Sequence, residues 1–268
     1  MSTVIVVALI SGVVSLAAAG IALLSNRSVA RLGGELEEQR RLASKREQAE
    51  ALRARYRDPL LGTVFDLQSR LYNIVVKRFL VVYGRGDDSS REYAVDNTLH
   101  LLAEYLAWVE IIRREIQFLD LGEEVANRKW LAALEEVRDT LARDDLDPAL
   151  RVFRGEQRAI GEMATVPLQE PNDGRRHESL GYAGFVAGKQ REDFSRWFRK
   201  LETDLELLAA EPDAHLERVI LLQNRLIDVL EIFDPDCRRF PFERRERLRP
   251  ADGRRSPTGG HAWRRADD

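Results

Sequence analysis

Between Val95 and Leu119 the side chains Val95, Thr98, Leu102, Tyr105, Val109, Ile112, Ile116 and Leu119 return at alternating steps of three and four. A period of 3.5 held over more than three heptads specifies a helix. It also demands a partner helix lying nearly parallel or antiparallel at a shallow crossing angle. The rest of the chain supplies candidates for that partner. Asp58-Pro59 has the chemistry of a helix start, and Leu60, Val64, Leu67, Leu71, Ile74 and Val81 follow at steps of three and four, with Arg78 interrupting the stripe. Ser89 and Glu92 form a capping-box pattern ahead of the long helix, and Gly122 is placed to end it. Further helices are predicted from about Asn127 to Arg143, from Pro148 to Met163, around Phe194–Leu208, and from Pro212-Asp213 to Phe233. No segment alternates as a strand would, and Thr165 to Leu180 reads as one long loop. The fold class expected is all-α, a bundle of about six helices.

A different constraint stands at the N-terminus. Val4 to Leu24 is 21 residues without a charge. As a helix it covers ~30 Å, the thickness of a bilayer's hydrocarbon core. A cleavable signal would need a basic segment before the run, and "MST" carries none. The expectation is an uncleaved single-pass anchor over residues 1–25. Arg27, Arg31, Arg40, Arg41, Lys45 and Arg46 all come after the run and none precedes it. Basic flanks stay in the cytoplasm, so the expected location is the cell inner membrane, with a short N-terminus outside and the C-terminal body cytoplasmic. Within the run, which is bounded by Val4 and Leu24, the small residues Ala8, Gly12, Ser15 and Ala19 share one helix face. A homo-oligomeric contact could form there.

Charge divides the remainder of the chain. Residues 26–57 read as a charged stalk helix. The body, taken as residues 58–237, is acidic: from 59 to 237 there are 23 basic and 34 acidic side chains, a net of −11. Residues 238–268 hold ten Arg and five acids, with few apolar side chains, and are expected to be a disordered basic tail. An acidic body argues against nucleic acid as a partner. One cysteine, Cys237, excludes a disulfide-stapled secreted scaffold.

Catalytic chemistry is poorly represented. Asp96, His100 and Glu104 step by four along the long helix, but no histidine has a glutamate three residues before it, as a di-iron bundle requires. These three read as a polar shoulder, and a metal enzyme acting through His100 and Glu104 is the least favoured alternative. Asp66, Gln68, Arg70 and Asn73 punctuate the first bundle helix and read as polar packing. Gly181 to Gly188 is glycine-rich but lacks the spacing of a phosphate loop. The densest polar cluster is "FRGEQRAIGE". There Arg154, Glu156, Arg158 and Glu162 could meet Arg113 and Arg114 of the long helix. Arg154 and Arg158, one turn apart, could grip an anion bidentately, with the 165–180 loop as a lid. The competing explanation is a network of ion pairs. No cofactor and no metal is expected.

The stretches "YRDPLL…DLQSRLYNI", "EYLAWVEIIRREIQFLDLG", "FRGEQRAIGE" and "GYAGF" together resemble a group of uncharacterised, membrane-anchored, all-helical proteins of actinobacteria. The resemblance spans most of residues 56–240. It implies a membrane location and an all-α body, and carries no site residues with it. The function expected is a membrane-held helical module for protein interaction, scaffolding or sensing, with a partner the sequence does not identify. The alternative is a small-anion binder using Arg154 and Arg158.

Overall fold

The computed structural model describes residues 36–44, 47, 54–84, 86–116, 124–168 and 176–249. The chain divides into two compact units, Met1–Arg53 and Ala54–Asp268. In the first, residues 36–44 are helical and exposed throughout, with Arg41 paired to Glu38 one turn away at 3.2 Å. The expected anchor, from Val4 through Ala8, Gly12, Ser15 and Ala19 to Leu24, lies outside the described residues. Among those described, no helix is long and apolar enough to cross a membrane.

The second unit is a helical bundle. Helix α1 runs through residues 54–76, α2 is Phe79–Gly84, α3 Asp88–Ile116 and α4 Glu124–Ala142. After them come α5 Arg154–Met163, α6 Tyr182–Lys189, α7 Glu192–Ser195, α8 Arg199–Ala210 and α9 Glu217–Phe233. The 3.5-residue seam lies on α3, which occupies the centre. Leu102, Tyr105 and Ile112 are buried as the seam requires, and so are Ala94, Leu99, Ala103, Leu106, Ala107 and Ile111 on its other sides. The alanines leave room for neighbours on every face. On α5, Gly161 takes this furthest: a Cβ there would stand 2.6 Å from the Leu106 carbonyl oxygen. Helix α1 runs antiparallel to α3, with Tyr56 bonded to Glu115 at one end and Arg70 to Asn97 at the other. Helix α4 pairs with α9 in the same antiparallel sense. Trp130 packs edge-on to Phe233, and at the other end Arg218 reaches the Thr140 carbonyl.

Several boundaries differ from the sequence expectation. Asp58-Pro59 does not start a helix; α1 already runs from residue 54, and Asp58 binds Arg239 at 2.6 Å. The stripe interruption at Arg78 is a true break. Its φ is 53°, and its guanidinium holds the Pro212 carbonyl and Asp213. The cap of α3 is Asp87, whose carboxylate accepts the Ser90 N–H at 2.8 Å, and not Ser89. Residues 147–153 are not helical, because the Asp147 carboxylate turns back onto the Ala149 N–H and Arg218 holds the Asp147 and Ala149 carbonyls. Between Pro212 and Glu217, His215 stands at φ 59°, so α9 begins later than expected.

Two further corrections concern segments expected to be irregular. Thr165–Pro167 and His177–Ser179 form a short antiparallel pair with Thr165 opposite Ser179, so the ends of the long loop are zipped together. Residues 238–249 of the expected disordered tail are folded onto the bundle. A turn of 3-10 helix, Phe242–Arg244, leads into an extended strap in which Arg245 and Leu248 are buried. Gln68 of α1 donates to the Arg244 carbonyl. Gln223 of α9 donates to the Glu246 carbonyl and accepts the Leu248 N–H, and Asn224 donates to the Leu248 carbonyl.

Candidate interaction face around Arg70

The cluster singled out in "FRGEQRAIGE" is an ion-pair network. Arg154 of α5 is held by Glu135 and Asp139 of α4. Glu156 accepts the Phe153 N–H at 2.8 Å and so caps its own helix. Among the described residues Arg158 reaches only Glu162, at 3.7 Å, and Glu162 in turn pairs with Arg114 at 3.2 Å. Arg113 and Arg114 converge on Glu110, which is 3% exposed. Every guanidinium in the group therefore faces a carboxylate. Arg154 and Arg158 do not turn towards a common point.

A different constellation has the character of a recognition surface. It lies where α1, α2, α3 and α6 meet. Arg70 of α1 lays its guanidinium over the Phe79 ring of α2, 3.9 Å from the centroid, and donates to the Asn97 side chain of α3 at 2.5 Å. Its Nη1 is buried and has no hydrogen-bond partner. Desolvation lowers the guanidinium's pKa, and a hydrogen bond with the Tyr93 side chain, together with the nearby Tyr83 and Tyr182, opposes that shift. Tyr83 stacks obliquely on Phe79 at 4.7 Å, and Tyr93 meets Tyr182 edge-on at 6.2 Å. Tyr83 and Tyr93 are nonetheless 43% and 46% exposed. Here a half-buried arginine is ringed by phenols and an amide.

Further along α1 and α3, Asp66, His100 and Glu104 stand close enough to act on one another. Burial raises the Glu104 carboxyl above its usual range, and the nearby Asp66 adds to the rise, while His100 and the Ser179 hydroxyl oppose it. Partial desolvation also raises the Asp66 carboxyl. His100 is committed elsewhere. Its Nε2 lies 3.0 Å from the Leu180 carbonyl, which can only accept, so Nε2 carries the proton. Tyr182 and Phe185 pack edge-on to the same ring. Asp96 faces away, bound to Lys189, which also meets Glu202 at 2.6 Å. Among the described residues no three His, Cys, Asp or Glu side chains are grouped to hold a metal. The sequence did point to Arg70, Asp66, His100 and Glu104, but as packing or as a metal shoulder. Tyr93, Asn97, His100 and Glu104 recur at steps of four, three and four, and that spacing was the available signal for a shared face. The contribution of Tyr83 and Tyr182 came only with the tertiary fold.

No protein-family model matches the sequence, and no curated protein or solved structure is detectably similar to it.

Proposed function

We propose that the chain is a single-pass inner-membrane protein whose helical body is a cytoplasmic protein-interaction module, and that the body's contact face is the one around Arg70. The resemblance to membrane-anchored helical proteins of actinobacteria belongs to the same proposal. The uncharged run Val4–Leu24 and the basic residues after it support the tether and its side. One observation carries the contact face: exposed Tyr83 and Tyr93 beside a half-buried arginine that has no ion pair among the described residues. Tyrosine and arginine are the residues that most often dominate the energy of protein interfaces. An uncompensated guanidinium costs the free protein stability and repays it only when a partner covers it. Arg154 and Arg158, by contrast, spend their charge inside the molecule. The test is co-purification from mildly solubilised membranes of the wild-type protein and of a Tyr83→Ala/Tyr93→Ala variant. The same partner band should be recovered with the wild type and lost with the variant, while the variant's Tm stays within a few degrees. A bundle that comes out alone, or a band that survives the double substitution, would contradict the proposal.

A further inference from the structure

Across α3 from the Arg70 face lies a groove of different character. Helical periodicity puts Arg91 and Val95 on the side of α3 opposite Tyr93 and Asn97. There α2, α3 and α8 enclose an open cavity of about 290 Å³. Its lining is apolar and mostly small, with Leu80, Val81, Val95, Leu205, Ala209 and Ala210. Leu80 and Leu205 are buried, so the space comes from the small side chains around them and not from a loose core. Gly84 of α2 widens it: within 4 Å a Cβ there would meet only the Ala209 Cβ, at 3.8 Å. A volume near 300 Å³ is at the lower limit for a small-molecule site and suits one large side chain. Arg91, Val95 and Glu206 are shared with a second depression, whose wall is acidic. Asp88, Glu92, Asp96, Glu202 and Glu206 stand there against two bases, Arg91 and Lys189. Asp88 and Glu202 also serve the first turns of α3 and α8, where acids are favoured; Glu92, Asp96 and Glu206 do not. Lys189 pairs with Asp96 and Glu202, and Arg91 with Glu206 at 3.2 Å. The Arg91–Glu206 pair is exposed on both sides, so it contributes little and an incoming cation can take Glu206 from Arg91. We propose that this groove docks a basic segment of a partner protein, with an apolar side chain entering between α2 and α8 and a neighbouring Lys or Arg meeting Glu92 and Glu206. The cavity selects the apolar anchor, and the surplus negative charge selects what flanks it. The same charge disfavours nucleic acid and an anionic membrane surface, which need a basic face. The proposal does not rest on the Arg70 face; it gives the body a second contact surface on the other side of α3.

The probe is a fluorescent peptide with one Leu flanked on each side by two Lys, titrated by anisotropy into full-length protein in an uncharged detergent. Counterparts with Ala for the Leu, or Glu for every Lys, are run in parallel. Saturable binding of the Leu peptide that weakens with salt is expected, about tenfold weaker for the Ala counterpart and absent for the Glu counterpart. Gly84→Leu fills the cavity and should weaken the Leu peptide by about tenfold to a hundredfold, with Tm within a few degrees. Glu92→Lys, at an exposed position, should weaken it by about tenfold and keeps the test in force if Gly84→Leu does not fold. Tyr83→Ala/Tyr93→Ala should bind the peptide as the wild type does. No saturable binding, equal binding of the Leu and Ala peptides, or binding that survives both groove variants would overturn the proposal. Loss of binding in Tyr83→Ala/Tyr93→Ala would overturn it too, by placing the peptide on the Arg70 face. Tighter peptide binding by a chain ending after Arg249 would give the groove to the chain's own residues 250–268, and self-association displaced by the peptide would give it to a second copy. Either result would overturn the partner segment.

Discussion

Two basic side chains show how differently a charge can be used. Arg218 of α9 is 0% exposed and makes no ion pair among the described residues. Its donors reach the carbonyls of Thr140, Leu141, Arg143, Asp147 and Ala149, at the C-terminal end of α4 and in the turn beyond it. A charge so deep is tolerated because the surrounding oxygens replace its hydration. Arg218→Met should remove the donor for several buried acceptors at once and destabilise the fold by about 3 kcal/mol or more, read by chemical denaturation. A loss under about 1 kcal/mol would show that water or relaxation replaces the guanidinium. His215 does similar work at the surface. Its Nδ1 lies 2.5 Å from Asp147 and its Nε2 3.4 Å from Glu211, and the hydrogen bond to Asp147 raises its pKa above 6.5. A raised pKa means the folded state holds the proton more tightly than the unfolded state. The stabilisation is therefore complete below pH 6.5 and fades as pH rises through the folded pKa. The Tm difference between wild type and His215→Asn should be largest below pH 6.5 and shrink as pH rises through the raised folded pKa. A difference independent of pH would mean that His215 stabilises by packing alone.

At the scale of elements, what the sequence made legible was what depends on periodicity. The 3.5-residue seam located α3, and α1 packs antiparallel against it. The seam underestimated α3 because Ala94, Ala103 and Ala107 carry little hydrophobic signal, yet it is their small size that lets helices surround it. The turn at 147–153 was hidden because its cause, Arg218, lies far along the chain. The strap was hidden for a chemical reason. Segment 238–249 is rich in arginine and poor in apolar residues, the composition of disorder, but Gln68, Gln223 and Asn224 hold its backbone rather than its side chains. Phe240 stacks on Phe65 at 4.5 Å, and the Asp234 carboxylate gathers the N–H groups of Arg238, Arg239 and Phe240 together with the buried Arg245. The strap thus works as an element tying α1 to α9. Ending the chain after Cys237 should cost roughly 3–5 kcal/mol, from the lost burial of Phe240 and Leu248 and the orphaned amides. Ending it after Arg249 keeps all of these contacts and should leave Tm unchanged. Equal stability of the two truncations would show the strap to be dispensable.

Across the whole molecule, the candidate site was less legible than the fold. Charge density pointed to Arg154 and Arg158, where acids and bases cancel. Arg70 is set apart by the phenols and the amide around it, which come from α2, α3 and α6 and are brought together only by the tertiary fold. The proposed molecule is an anchored helical body that offers a partner one tyrosine-rich, arginine-centred face. Site-specific photocrosslinking in intact cells tests that claim most directly, with a photoreactive residue placed at Tyr83 or Tyr93 and, as a control, at Leu131, which is 57% exposed on α4. A discrete partner adduct from Tyr83 and Tyr93, with none from Leu131, is expected. Adducts from Leu131 alone, or no adduct from either tyrosine position, would contradict a contact face around Arg70.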